Sequence, residues 1–186
     1  MKKLAWTVIA LLLAAFGYIA VIAIPREAIH VKRSAVTTSP ADVGLVFEDF
    51  VLTLQDTDLT LAGWWIPADN ARATLVFIHG GGSNRTSSYF GSLDFYRAMV
   101  AQGIAMVVID LRNHGASDSD GQGLQFGRTE KYDAAAAIAW ARARNPDLPL
   151  FAMGISMGGA SLIQAVHAGA KLDGLILLDS LLDTYD

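Results

Sequence analysis

A serine set between glycines is the residue of this sequence whose surroundings are most specific for chemistry. Residues 154–159 read Gly-Ile-Ser-Met-Gly-Gly, after an apolar run at 148–153 and before a helix-like stretch at 160–168. In such a strand–turn–helix unit the sharp turn lifts the serine clear of the sheet, and small residues let the two backbones come close. The helix N-terminus offers N–H groups to a developing oxyanion. The pattern predicts Ser156 as a nucleophile. The alternative is that the glycine-lined turn has only a structural role.

Strands and helices alternate along most of the chain and would position this serine. Two apolar segments, 46–54 and 59–66, flank a polar turn and predict an antiparallel hairpin. Further apolar strands are expected at 73–78, 104–109, 148–153 and 172–178, with helices at 89–102, 129–144 and 160–168. Uniformly apolar strands separated by helices indicate an α/β fold with a mostly parallel sheet and helices on both faces.

The composition limits the classes of function. The chain has 186 residues, which is enough for one domain with a core. Its formal net charge of −4 gives no reason to expect a nucleic-acid partner. It has no cysteine, which excludes disulfides, thiolate metal sites and cysteine nucleophiles. The sequence predicts neither a cofactor nor a metal.

An uncharged apolar run over residues 4–24 follows two lysines and ends before Pro25. A bilayer core takes about 20 helical residues. The apolar part of a cleaved signal peptide is usually about 7–15 residues and precedes a small-x-small site, which this run lacks. The sequence therefore favours an uncleaved membrane anchor over residues 1–25, and a cleaved signal peptide is the alternative.

The segment after the anchor is polar, contains proline and lacks periodicity. This pattern predicts a linker over residues 26–44 and a domain over residues 45–186. Positive charges on the two sides of the apolar run are nearly balanced, so they do not fix the orientation. The short leader favours an N-terminus inside the cell, with the domain on the non-cytoplasmic side of the membrane.

Three motifs occur in a fixed order after successive strands. They are His-Gly-Gly-Gly at 79–82 after the third strand, Asp-Leu-Arg-Asn-His-Gly-Ala-Ser at 110–117 after the fourth, and the Ser156 turn after the fifth. In order and spacing the sequence resembles the α/β-hydrolase family, most closely its serine aminopeptidase-like and lysophospholipase-like branch. The resemblance covers about residues 46–182 and implies an α/β-hydrolase fold without its C-terminal part.

The resemblance implies a role for each motif. Ser156 would form an acyl-enzyme, and the backbone N–H groups of Met157 and Gly81 would form the oxyanion hole. Glycines suit the loop at 80–82 because its backbone must approach the substrate closely. A phosphate-binding loop is the alternative for these glycines, and it ranks lower because no Gly-Lys-Ser/Thr follows.

The histidines do not match the family's catalytic base. In the family, His79 supports the oxyanion loop and His114 fixes the geometry of its own turn. His30 lies in the predicted linker, and His167 lies about 16 Å along a helix from Ser156, from a rise of about 1.5 Å per residue. A role as base for His79 is the alternative, although the usual order of the triad along the chain is against it.

The family's triad runs Ser, then Asp or Glu, then His along the chain, and no histidine follows His167. Asp179 and Asp183 follow the sixth strand, where a minority of the family places its acid. The sequence is thus expected to be a fragment of a longer enzyme, or a truncated protein without the base. In a truncated protein the apolar strand at 175–178 would be an uncovered sheet edge, so the sequence favours a fragment of a longer enzyme.

Two functions remain open at this point. The first is a membrane-anchored serine hydrolase that acts on a small-molecule, lipid or peptide acyl substrate. The second is a membrane-tethered, non-catalytic binding module that keeps the fold. The strained serine turn favours the first, and the unmatched base favours the second.

Overall fold

The computed structural model describes residues 2–30, 32–55, 57–87 and 90–180. The chain divides into two compact units, Met1–Val31 and Lys32–Asp186. The first consists of apolar helix, whereas the second contains the sheet and all three predicted motifs.

The first unit is one continuous helical stretch. It comprises α1 (Lys2–Tyr18), a π-helical turn (Ile19–Ala23) and α2 (Ile24–Ile29). The wider turn precedes Pro25, which has no N–H to donate and whose ring crowds the turn before it. The span Lys3–Ile29 has 27 residues and a most apolar window of mean hydropathy 2.6. Its length and composition suit a membrane span, and a signal sequence at this position would meet the same criteria.

The second unit, within the described residues, is built on a six-stranded sheet in the order β1-β2-β4-β3-β5-β6. The strands are β1 (Glu48–Thr53), β2 (Thr60–Ile66), β3 (Ala73–Ile78), β4 (Ile104–Ile109), β5 (Leu150–Ile155) and β6 (Gly174–Leu178). The β1–β2 and β2–β4 pairs are antiparallel, and the β4–β3, β3–β5 and β5–β6 pairs are parallel. The predicted hairpin and the predicted mostly parallel sheet are both confirmed.

Helices cover both faces of this sheet, because its central strands are apolar on both sides. The helices of this unit are α3 (Ser92–Ala101), α4 (Glu130–Arg144) and α5 (Met157–His167). Leu75 and Phe77 of β3 belong to the core on the α3 side. Val76 and Ile78, which alternate with them, belong to the core on the side of α4 and α5. This confirms the predicted α/β fold class.

Two predicted helix boundaries are wrong. The helix expected from residue 89 begins at Ser92, after Gly91 in the left-handed region at φ 66°; Tyr89 lies outside the described residues. The helix expected from residue 160 begins at Met157, immediately after Ser156. The two glycines of its first turn are poor helix formers, so the sequence pattern places its start too late.

The structure also differs from the predicted linker over residues 26–44. Helix α2 extends to Ile29, and from Lys32 the chain belongs to the second unit. A 3₁₀ helix, Pro40–Val43, begins with reciprocal hydrogen bonds between Ser39 and Asp42, and Pro40 is buried. The sequence pattern does not reveal that the segment from Lys32 onward belongs to the second unit. Many of its contacts are hydrogen bonds to backbone carbonyl groups, which any residue provides.

Candidate active site

The backbone of Ser156 is strained. The residue lies between β5 and α5 with φ 49° and ψ −118°, a conformation that non-glycine residues rarely adopt. Such a residue costs about 1–3 kcal/mol and persists only where its surroundings hold it. Its N–H donates to the carbonyl of Leu178 at the end of β6 (3.0 Å), and its own carbonyl accepts from Gly159 (3.0 Å) and Ala160 (3.2 Å).

The glycines near Ser156 allow β5, β3 and α5 to meet. A Cβ on Gly154 would lie 2.6 Å from the carbonyl carbon of Gly158. A Cβ on Gly158 would collide with the carbonyl oxygen of Ile78 and lie 2.5 Å from that of His79. The first turn of α5 thus packs directly on the backbone of both strands, and this contact fixes the turn that carries Ser156.

The glycine loop at 80–82 lies against the same turn. A Cβ on Gly80 would be 3.4 Å from the Cβ of Ser156, and a Cβ on Gly81 would be 3.6 Å from the Sδ of Met157. In the part of the chain that the structure describes, the backbone N–H groups of Gly81 and Met157 have no hydrogen-bond partner. The two predicted oxyanion donors therefore belong to neighbouring segments, with their N–H groups available.

Two histidines join this loop to the 110–117 turn, each with one ring nitrogen bonded to the loop and the other to the turn. The Nε2 of His114 accepts from the N–H of Gly82 (3.0 Å), and the Nε2 of His79 accepts from the N–H of Leu111 (3.1 Å). Each Nδ1–H donates to a carbonyl, that of Gly80 for His79 (2.7 Å) and that of Arg112 for His114 (2.7 Å). Both imidazoles are therefore neutral and have no nitrogen free to take a proton from Ser156.

Burial keeps these imidazoles neutral. His79 is 1% exposed, and burial, followed by the neighbouring His114, lowers its pKa from 6.5 to about 4. Burial is also the main cause of the lowered pKa of His114. Protonation of either ring would convert an acceptor nitrogen into a donor facing a backbone N–H.

The buried ion pair of Arg85 and Asp110 links the segments that follow β3 and β4. The carboxylate of Asp110 accepts from the backbone N–H of Arg85 (2.7 Å), from its Nη1 (3.0 Å) and from the N–H of Ala116 (2.8 Å). Gly115, at φ 46°, passes so close to this carboxylate that any Cβ there would collide with it. Asp110 therefore joins the segment after the glycine loop to the 110–117 turn.

A cavity of about 580 Å³ opens beside Ser156. That volume is in the range of about 300–1,000 Å³ typical of small-molecule sites. His79, the glycine loop and Ile155 surround Ser156, and Phe90 adds an aromatic side chain. The remaining lining comes from two further segments, 34–38 and 83–87.

The structure brings together only some of the residues predicted for the site. Ser156 and Gly81 line the cavity, and Met157 follows Ser156. Asp179 lies directly after β6, exposed and at φ 51°, and Asp183 lies outside the described residues. His30, in the first unit, is exposed, and His167 is exposed and does not line the cavity. Among the described residues, no cluster of His, Cys, Asp or Glu has an arrangement that suits a metal ion.

The sequence pattern missed a group of residues around the cavity. Arg33 and Asn84 make hydrogen bonds between the 33–35 segment and the two loops, and Thr37 and Thr38 line the cavity. A polar segment without periodicity carries no signal of such a role. The position of Asn84 beside the glycine loop is the only indication in the sequence.

The chain is similar to known hydrolases in sequence and in fold. The family model for serine aminopeptidase S33 matches residues 69–184. An esterase from Pyrococcus furiosus has 22% identity and a TM-score of 0.71, covering 82% of this chain and 57% of the esterase. The α/β hydrolase GrgF from Penicillium has 24% identity and a TM-score of 0.65, covering 75% and 48%. An α/β serine hydrolase without a lid from Xanthomonas campestris has 21% identity and a TM-score of 0.61, covering 83% and 67%.

These structural similarities establish the fold and no more, since the identities lie below 25%. The chain spans about half the length of the first solved structures it matches, between 48% and 57%. No curated protein sequence matches it.

Proposed function

The chain belongs to the serine aminopeptidase S33 family of α/β-hydrolases, and from this premise we propose that it is a membrane-anchored serine hydrolase. It would cleave ester or amide bonds through an acyl-enzyme on Ser156. The single observation that carries the proposal is the strained backbone of Ser156 between β5 and α5, at the edge of a 580 Å³ cavity. Strain of this kind occurs mainly where it serves a function.

The proposed reaction uses the geometry of the glycine loop. The Ser156 oxygen bonds to the acyl carbon and loses its proton to a base, and the alcohol or amine leaves with a proton. The carbonyl oxygen becomes negative, and the N–H groups of Gly81 and Met157 stabilise it. Water then attacks the acyl-enzyme, which releases the acid and restores the serine.

The proposal assigns the base to neither His79 nor His114, because both nitrogens of each ring are already in hydrogen bonds. Asp179 is the described candidate for the triad acid. Its position after β6 supports this role, since the carbonyl of Leu178, the residue before it, accepts from Ser156.

The same observation about the histidines favours a second candidate, a non-catalytic binding module. A fluorophosphonate probe separates the two, because it reacts only with an activated serine. We expect Ser156-dependent labelling of the full-length protein, with loss of labelling in Ser156→Ala. Ser83→Ala is the matched control, because Ser83 lines the same cavity away from the strained turn. Labelling that persists in Ser156→Ala excludes Ser156 as the nucleophile, and an unlabelled wild type favours the binding module.

Membrane anchoring is the second part of the proposal. It is supported by the length of the Lys3–Ile29 span and by the mean hydropathy of 2.6 in its most apolar window. We expect the protein to stay in the membrane fraction after a carbonate wash and to keep residues 1–24 in its mature form. A mature N-terminus at Pro25 or beyond, in a soluble fraction, would show a cleaved signal peptide instead.

A further inference from the structure

The segment at residues 33–38, here called the strap, forms one wall of the Ser156 cavity. Ser34, Ala35, Thr37 and Thr38 line it, together with the glycine loop and Phe90. Val36, between them, packs into the core on the α3 side of the sheet. The strap is therefore held to the core at Val36, with cavity-lining residues on both sides of it.

Asn84, two residues after the glycine loop, fixes the strap to the segment that follows that loop. Its Nδ2 donates to the carbonyl oxygens of Ser34 (3.2 Å) and Ala35 (3.1 Å). Its Oδ1 accepts from the N–H (2.7 Å) and the hydroxyl (2.8 Å) of Thr86. The residue is 4% exposed, so its amide N–H groups are committed to the strap and its oxygen to its own turn.

Arg33 fixes the strap to the second loop. Its Nε donates to the carbonyl of Gly115 (2.7 Å), and its Nη2 lies 3.4 Å from the carbonyl of His114. His114 in turn accepts from Gly82 in the glycine loop. The strap is thus attached to both loops that position the proposed oxyanion donor Gly81.

The cavity is uncharged and rich in hydroxyl groups. The described lining has no Asp, Glu, Lys or Arg, and its hydroxyl groups come from Ser34, Thr37, Thr38, Ser83, Thr86, Ser87 and Ser156. The hydroxyls of Ser83 and Thr86 already donate to Asn84. A bound alkyl chain would cover the others without pairing them, which is costly, whereas an uncharged group with ether, hydroxyl or amide atoms would pair them.

We propose that the strap is a specificity-determining wall, which selects short, uncharged, hydrogen-bonding acyl groups over alkyl chains of the same size. This inference rests on the proposed function of Ser156 and names the substrate class of that site. Thr37 and Thr38 contact the acyl group, whereas Arg33 and Asn84 act as positioning residues for the wall.

The test compares kcat/KM for three p-nitrophenyl esters, the methoxyacetate, the butanoate and the octanoate. Each value is divided by the rate constant for hydrolysis of the same ester by hydroxide, which corrects for the reactivity of the ester itself. Methoxyacetate and butanoate have nearly the same shape, so their ratio of kcat/KM reports hydrogen bonding alone. A ratio within one enzyme preparation is also unaffected by the folded fraction. We expect the full-length wild type to prefer the methoxyacetate, with all turnover lost in Ser156→Ala.

Two sets of variants separate contact from positioning. The double variant Thr37→Val, Thr38→Val keeps the shape of the wall and should lower the methoxyacetate-to-butanoate ratio about fivefold, the effect of losing one or two hydrogen bonds. Thr53→Val, an exposed threonine on β1, is the matched control and should leave the ratio unchanged. Asn84→Asp keeps the acceptor for Thr86 but removes the donors to the strap, and should raise octanoate turnover relative to butanoate at least threefold.

The outcomes distinguish the two proposals. In one outcome, wild-type turnover depends on Ser156 while the strap variants have the same methoxyacetate-to-butanoate and octanoate-to-butanoate ratios as the wild type. That result would overturn the role of the strap and leave the hydrolase proposal standing. A wild type without Ser156-dependent turnover of any ester would overturn both. A wild type that prefers the octanoate would also overturn the inference, because the hydroxyl wall would then not select against alkyl chains.

Discussion

At the scale of single residues, the structure places unfavourable backbone geometry and uncommon hydrogen bonds around Ser156. The serine has φ 49°, and the N–H of Gly82 in the loop beside it donates to an imidazole nitrogen rather than to a carbonyl group. Neither feature improves packing. Both keep backbone N–H groups in place next to a hydroxyl group, as acyl-transfer chemistry requires.

The strain at Ser156 gives a prediction about stability. Ser156→Gly removes the Cβ that makes this conformation unfavourable, whereas Ser156→Ala keeps it. We expect the free energy of unfolding of the glycine variant to be about 1 kcal/mol higher than that of the alanine variant. This figure takes the greater chain entropy of glycine into account. Urea unfolding of the two variants measures the difference. A less stable glycine variant would show that the turn is not strained.

At the scale of elements, the site depends on how closely α5 approaches β3 and β5. The contact is between backbones, since Gly154 and Gly158 have no side chains to separate them. Met157 and Leu162 of α5 then join the core on the α4 side of the sheet. The position of Met157, the proposed oxyanion donor, is therefore set by the packing of a whole helix.

Gly158→Ala tests this contact. The new Cβ would collide with the carbonyl of Ile78, which cannot move without breaking the β3 ladder. We expect a loss of at least about 3 kcal/mol in the free energy of unfolding, in the range of severe overpacking. Gly121→Ala is the control, because Gly121 has φ 73° and no atom within 4 Å of an added Cβ. It should cost only about 1 kcal/mol, from the left-handed backbone. Equal costs would contradict the steric account.

The sequence predicted those elements whose signal is local. The run at 73–78 is apolar at every position because β3 is buried on both faces, and its predicted bounds agree with the structure. The strand order was not predictable, because the pairing of β2 with β4 joins segments that are far apart in the chain. The strap was missed for a related reason, since its contacts use the carbonyl oxygens of Ser34 and Ala35. Backbone atoms are the same in every residue, so such contacts leave no pattern in the sequence.

At the scale of the whole molecule, buried titratable groups link the site to the stability of the second unit. His79 and His114 lie with their rings 5.0 Å apart, between β3, the glycine loop and the 110–117 turn. Their neutral forms accept backbone hydrogen bonds that join these segments. The stability of the unit should therefore depend on pH through these two rings.

The sign of this dependence follows from the lowered pKa of His79. Burial lowers it from 6.5 to about 4, so between these values the unfolded chain binds a proton that the folded protein excludes. The stabilising contribution is complete above pH 6.5 and is lost as the pH falls toward 4. At about 1.4 kcal/mol per pKa unit, this single ring accounts for about 3 kcal/mol of unfolding free energy across that range. The lowered pKa of His114 acts in the same direction.

The measurement is urea unfolding between pH 7.5 and 4, in steps of about half a pH unit, for the wild type and for His79→Gln. Carboxylates titrate over part of the same range, so the difference between the two proteins isolates the imidazole. We expect the variant to be less stable at pH 7.5, because glutamine does not reproduce both hydrogen bonds of the ring. Its unfolding free energy should also fall by about 3 kcal/mol less than that of the wild type as the pH is lowered. His167→Gln, at an exposed position near the end of α5, should have the wild-type slope. Parallel curves for wild type and His79→Gln would mean that His79 is not held neutral, and the hydrogen bonds assigned to its ring would have to be revised.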